Sequence, residues 1–322
     1  MKRNEWPNTL LEAVRYFTDL DRAQEFLVAL RWPQGITCSI CGSKRVSYLS
    51  TRRLWKCSED HALRQFSVKK GSIFEDSPLG LDKWLPAMWL IVNCKNGISS
   101  YELARDLKVK QQTAWFMLHR IRRAMQQGTF DKPMGEDGGE VEADETFIGG
   151  KARLMNAKQR SKRSHGTGGA GKQLVAGLLD RKTGAVRIAH VRDRKKKTLQ
   201  KHVRENVALG AQLMTDELAS YTGLDKDYVH QFVNHAESYV RGNVHTNGLE
   251  NFWSCLKRTL KGTYISVEPF HLHRYLDEQA FRFSERKNDG GRFIEAARDA
   301  FGHNKHLRYK ELTGKVGAPA TT

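Results

Sequence analysis

Apolar positions in the first thirty residues recur at helical spacing: Leu10, Leu11, Val14 and Phe17, then Ala23, Phe26, Leu27 and Leu30. That period predicts one or two short helices. Residues 31–71 lose it and gain turn formers, residues 81–127 regain it, and residues 128–140, rich in Gly and charge, read as a linker. From Val141 the period shortens to that of strands. Around it Val141, Ala143 and Glu145 fall on one side and Glu142, Asp144 and Thr146 on the other. Residues 172–180, a Gly-bearing turn and residues 185–191 read as a hairpin. A polar helix over about 198–207 follows, then short strands over 211–216 and 228–233. A last helix over 247–257 has Leu249, Phe252, Trp253 and Leu256 on its buried face.

Composition narrows the class. With 39% hydrophobic and 28% charged residues, the chain can bury a core and is not wholly disordered. The longest apolar stretch, residues 84–92, is interrupted by Pro86 and falls far short of the roughly 20 residues that span a bilayer. No apolar signal core opens the chain, and five cysteines do not make a disulfide framework. A soluble cytoplasmic protein with no membrane partner is expected. Fifty-four Lys and Arg against 36 Asp and Glu give a net charge of +18, which suits a polyanion such as nucleic acid.

Two motifs lie before the linker. Cys38 and Cys41 form a Cys-x2-Cys pair, and Cys57 with His61 a Cys-x3-His pair 15 residues later. Two short-spaced pairs at this separation predict a zinc ribbon with a structural Zn²⁺, Asp60 being a possible competitor for the place of His61. Further on, Ser99 or Ser100 can cap a short helix, with Glu102 at capping-box distance from Ser99. A turn at 108–110 then leads to a longer helix from Gln111. This is the plan of a helix-turn-helix, in which Gln111, Gln112 and Thr113 would face the major groove and Arg120, Arg122 and Arg123 would meet phosphates.

The strand-rich part carries acids in unusual places. Three strands, a helix, a further strand and a closing helix is the order of a ribonuclease-H-like fold. In that plan Asp144, Asp216 and Glu250 would meet, a set suited to two Mg²⁺ (or Mn²⁺) ions and in-line phosphoryl transfer.

Taken in order, Cys38-Ser-Ile-Cys41, Gly71-Ser-Ile-Phe, Lys95-Asn-Gly-Ile-Ser-Ser, Thr113-Ala-Trp-Phe-Met-Leu-His-Arg-Ile, Glu142-Ala-Asp-Glu-Thr, Thr215-Asp216, His245-Thr-Asn-Gly-Leu-Glu-Asn-Phe-Trp and Arg274-Tyr-Leu-Asp-Glu make the chain resemble zinc-ribbon-bearing DDE insertion-sequence transposases of bacteria, the ISXO-like family. The resemblance implies that Asp144 and Asp216 are the first two catalytic acids. It puts the third position at Glu250, with Asn247 as the alternative, and gives Lys257 a DNA phosphate. It further implies double-stranded DNA partners, both inverted-repeat ends and target, and a homo-oligomer on DNA. The basic insert at residues 151–165, six Lys or Arg and no acid, has no counterpart in the resemblance. The fold class expected is a multidomain α+β / α/β chain: a helical segment (1–30), zinc ribbon (31–78), helix-turn-helix (79–128), linker (129–140), ribonuclease-H-like catalytic domain with a mixed sheet flanked by helices (141–288) and C-terminal extension (289–322). The expected function is DNA transposition. A zinc-ribbon and helix-turn-helix regulator descended from an inactive transposase is the alternative.

Overall fold

A computed structural model describes residues 6–126, 132–149, 172–216, 218–233, 245–288, 291–301 and 306–314. The basic insert at 151–165 lies outside the described residues. The chain divides into two units, one of residues 1–126 with 286–322 and one of residues 127–285.

In the first unit, α1 (Leu10–Phe17) and α2 (Leu20–Arg31) are each started by a side chain that satisfies free N–H groups: Thr9 accepts from Glu12, and Asp19 from Asp21 and Arg22. A small antiparallel sheet follows, β1 (Val46–Leu49), β2 (Leu54–Cys57) and β3 (Gln65–Phe66), in that spatial order. Trp55 of β2 lies against Trp32, Tyr48 and Phe66, an aromatic cluster that gives so small a sheet a core. α3 (Leu81–Asn93) runs through Pro86 in its second turn and is buried along most of its length. Ser99 rather than Ser100 caps α4 (Ser100–Leu107) in a complete capping box, and Lys108 ends that helix with φ of 51°. α5 (Gln111–Met125) follows at once.

The stretch set apart in sequence as a C-terminal extension supplies α9 (Gly291–Arg298) to this same unit. Its Phe293 is fully buried, stacked on Phe26 with ring centres 5.6 Å apart and 4.9 Å from Trp89.

The second unit is built on a five-stranded sheet. Its strands are β4 (Glu140–Ile148), β5 (Gln173–Asp180), β6 (Val186–Val191), β7 (Gln212–Asp216) and β8 (Val229–Val233), in spatial order β6-β5-β4-β7-β8. β6, β5 and β4 run antiparallel, while β4, β7 and β8 run parallel, so β4 is the central strand. α6 (Lys196–Asn206) covers one face: Leu199 and Val203 pack with Val141, Ala143, Ala176, Leu178 and Leu213. α7 (Asn247–Thr259) and α8 (Leu272–Ser284) cover the other, where Leu249, Phe252, Trp253 and Leu276 meet Val175, Leu179 and Ile148. Alternation along β4 thus sends Val141 and Ala143 to the α6 side and the side chains of Glu142 and Asp144 to the α7 side.

Truncating Phe293 to Ala removes an aromatic ring from a packed cluster and should destabilise the first unit by about 3–5 kcal/mol, read as a shifted denaturant midpoint at unchanged slope.

Candidate functional site

Asp144 sits mid-strand on β4 and Asp216 ends β7. The parallel ladder that pairs Ala143 with Thr215 brings these two acids side by side. Burial pushes the Asp144 carboxyl up to about 6, the indole N–H of Trp253 opposes that by donating to it, and the negative charges of Glu145 and Asp216 add to the rise. The Trp253 Nε1 to Asp144 Oδ2 distance is 2.8 Å. The residue opposite Asp144 on β5 is Gly177, and a Cβ there would come within 2.7 Å of the Trp253 ring. Gly177 is therefore what lets the indole lie on the sheet and reach the acid.

Glu142, two residues earlier on the same face, is just 1% exposed. It accepts the Leu249 N–H at 2.9 Å, so a carboxylate from the sheet caps the first turn of α7, where negative charge is favoured. Arg181 donates to it through Nε at 2.8 Å, to Glu140 through Nη1 and to the His245 carbonyl through Nη2. A Cβ on residue 248 would lie 2.8 Å from the Glu142 carboxylate, so Gly248 permits this close approach. Glu142 and Asp144 together fix where α7 crosses β4.

α7 carries the remaining candidates. Glu250 lies in its first turn and is exposed, its N–H bonded to the Thr246 carbonyl. Trp253 is three residues on, so Glu250 neighbours it on the helix surface. Asn247 opens the helix and is exposed, as is Lys257, two turns beyond Glu250. Asp144 and Asp216 are thus brought together, whereas among the described residues no hydrogen bond joins Glu250 to either. Among the described residues, no trio of His, Cys, Asp or Glu in this unit gathers its ligand atoms within 4.8 Å.

On the opposite side of β4, Glu145 accepts from Arg194 Nε at 2.8 Å and from the Tyr221 hydroxyl at 3.0 Å. Burial raises its carboxyl, the Asp216 charge raises it further, and Arg194 and Tyr221 work against both. Sequence reading passed over Glu142, Glu145, Gly177 and Arg181. The alternation along β4 marked Glu142 as sharing a face with Asp144, but no local signal paired the others.

In the first unit Cys38, Cys41, Cys57 and His61 bring one ligand atom each to within 4.8 Å of one another. The Cys41 and Cys57 sulfurs are 3.7 Å apart, close to the edge of about 3.8 Å for a tetrahedron with 2.3 Å zinc–sulfur bonds. His61 Nδ1 lies 2.8 Å from the Ala62 carbonyl, which turns Nε2 toward Cys38. Asp60 pairs with Arg64 instead of competing for the cluster. Burial works to raise the Cys38 thiol, but hydrogen bonds from the Cys41 and Ile40 backbone and from neighbouring thiols outweigh it and bring it to about 7. The residues fit a structural zinc.

The residues expected to face DNA divide. Gln112 is exposed, Gln111 and Thr113 are half-buried, and Gln111 donates to Ser100 Oγ at 2.8 Å. Two of the three arginines expected to meet phosphates point inward, a correction to the sequence reading. Arg120 is 2% and Arg122 1% exposed. Arg120 donates to the Glu75 carbonyl and lies over the Trp84 and Phe116 rings, so its role is internal packing. Arg123 is half-buried.

A carboxylate whose folded pKa lies above its unfolded value opposes folding when ionised. The penalty is complete above about pH 6 and fades as pH falls toward 4. Asp144→Asn keeps an acceptor for Trp253, so it should stabilise protein free of Mg²⁺ and Mn²⁺ by about 1–3 kcal/mol at neutral pH. Melting curves across pH, on zinc-loaded protein with no Mg²⁺ or Mn²⁺ added, should show the gain shrinking below pH 6; a constant gain would count against a buried, titrating Asp144.

Comparison with known proteins agrees with this architecture. Residues 137–284 match the ISXO2-like transposase domain, and residues 19–59 match the transposase zinc-ribbon domain, together more than half of the chain. A protein described as an uncharacterized protein in transposable element ISH50, from Halobacterium salinarum, is 27% identical over 259 residues, covering 77% of this chain and 85% of that protein. With a Cys3His cluster ahead of a sheet whose adjacent strands β4 and β7 carry paired acids, and both domains matched in that order, the chain belongs to the zinc-ribbon-bearing, ISXO2-like family of insertion-sequence transposases.

Proposed function

We propose that this protein is the DNA transposase of its insertion sequence, binding the inverted-repeat ends and cutting and joining DNA strands at a divalent-metal site on the second unit. The observation that carries the reading is the Asp144–Asp216 pair at the centre of a sheet ordered β6-β5-β4-β7-β8. Three antiparallel strands followed by two parallel ones is the order of a ribonuclease-H-like catalytic domain. Placing two carboxylates side by side, one of them pushed up to about 6 by burial, is unfavourable without a cation to share.

Asp144 and Asp216 offer hard anionic oxygen ligands suited to Mg²⁺ or Mn²⁺. Such ions, when bound, activate the attacking oxygen and stabilise the leaving one. Glu250 supplies the third ligand from α7, with Asn247 as the alternative. Trp253 holds the Asp144 carboxylate in orientation, and the Glu142 cap fixes the helix that bears Glu250. Lys257, exposed on that helix, reaches a DNA phosphate. In the first unit, α4 and α5 act as a helix-turn-helix in which Gln112, with Gln111 and Thr113, reads base edges, while the zinc ribbon holds its own sheet together. Two copies pairing two DNA ends is the expected working assembly.

On a duplex bearing the element's end, with Mg²⁺, wild-type protein should nick at the end. Asp144→Asn, Asp216→Asn and Glu250→Gln should each fall below about 1% of that rate while end binding survives. Normal cutting by all three would overturn the mechanism; loss in Asn247→Ala but not Glu250→Gln would reassign the third ligand. Metal analysis should find about one zinc per chain, lost with the ribbon's stability in Cys57→Ser.

A further inference from the structure

One end of the sheet holds a feature that neither the acid pair nor the zinc cluster uses. Where β4 finishes, β5 begins and β6 ends, a cavity of about 590 Å³ is lined by Phe147, Lys172, Gln173, His190, Arg192 and Arg194, among others. His190, Arg192 and Arg194 are exposed at its rim, and the cationic surface continues through Lys195, Lys196 and Lys197, all exposed. These last three open α6, whose first turn holds no acid and whose N-cap makes no side-chain hydrogen bond. Cations at a helix N-terminus oppose the helix dipole, so helix stability does not account for them.

The acids nearby neutralise little of this charge. Asp193 is occupied by the Thr198 hydroxyl at 2.6 Å and the Lys195 N–H, with Arg192 3.5 Å away. Glu145 is taken by Arg194. Arg192, Arg194, Lys195, Lys196 and Lys197, five cations, therefore face two acids along the strip. Arg194 ties the strip to the Asp144–Asp216 pair, because its partner Glu145 follows Asp144 in the chain and interacts with Asp216.

We infer that the cavity and the Arg192–Lys197 strip form a sequence-independent seat for the phosphodiester backbone of the DNA strand that runs to the Asp144–Asp216 pair. This rests on the transposase reading and deepens it by naming where the second unit grips DNA. The chemistry is that of a polyanion on an ordered row of exposed ammonium and guanidinium groups: each neutralised phosphate releases condensed counterions, and no base edge is read.

The test uses the full zinc-loaded chain in chelator-free buffer with Ca²⁺ in place of Mg²⁺, binding an end-bearing duplex and a random duplex of equal length over a range of salt. The triple substitution Arg192→Ala, Lys196→Ala, Lys197→Ala should lower the slope of log affinity against log salt by about 2–3 on both duplexes, leaving their affinity ratio unchanged. Lys196→Arg with Lys197→Arg should keep the wild-type slope, and melting curves should show the exposed substitutions fold normally. An unchanged slope in the triple variant overturns the inference, as does a collapse of the ratio, which would make the strip a reader of sequence. The transposase reading fails separately: wild-type protein would then neither prefer the end duplex nor nick it in Mg²⁺, while the slope on random DNA would still report on the strip.

Discussion

The second unit depends on the burial of acids from β4 beneath α7. Glu142 has no access to water, and its charge is tolerable because the N–H of Leu249, the start of a helix dipole and the Arg181 guanidinium all converge on it. That same contact leaves α7 one position to occupy. Asp144, two residues along, then meets the Trp253 indole, and Gly177 and Gly248 are the points where any side chain would force sheet and helix apart. Packing, capping and the placement of α7 are consequences of one set of close approaches.

The acid pair inherits its electrostatics from this arrangement. A carboxylate on the central strand of a covered sheet loses solvent, and a second one on the adjacent parallel strand adds repulsion. The raised carboxyl of Asp144 is thus a local cost to stability, of the kind that functional sites characteristically carry. Glu145 shows the contrasting solution on the other face: an equally enclosed acid compensated by Arg194 and Tyr221. One strand thus carries an acid paired with a guanidinium on one side and an acid held by a neutral indole N–H on the other.

The first unit solves a different problem. Its three-stranded sheet is too small for a core of its own, so the Cys3His cluster and the Trp32, Trp55 and Phe66 rings supply what burial alone does not. Its helices gain their enclosed aromatic centre from a segment far along the chain, through Phe293 against Phe17, Phe26 and Trp89. Arg120 and Arg122 are absorbed into this interior, Arg120 lying over aromatic rings.

Local patterns were enough for whatever depends on spacing along the chain. The Cys3His cluster was legible because two short-spaced pairs can close a tetrahedron wherever the intervening hairpin goes. The alternation around Asp144 showed which β4 residues share a face, and the helices at Leu81, Ser100 and Gln111 began where capping and period placed them. Asp216 was visible as an acid ending an apolar strand, and its closeness to Asp144 followed once the strand order was assumed. Periodicity names a face but not what covers it. The inward turn of Arg120 and Arg122, the reach of Glu142 to α7, the fit of Trp253 over Gly177 and the pairing of Glu145 with Arg194 all join residues brought together by chain return, and only the tertiary structure decided them.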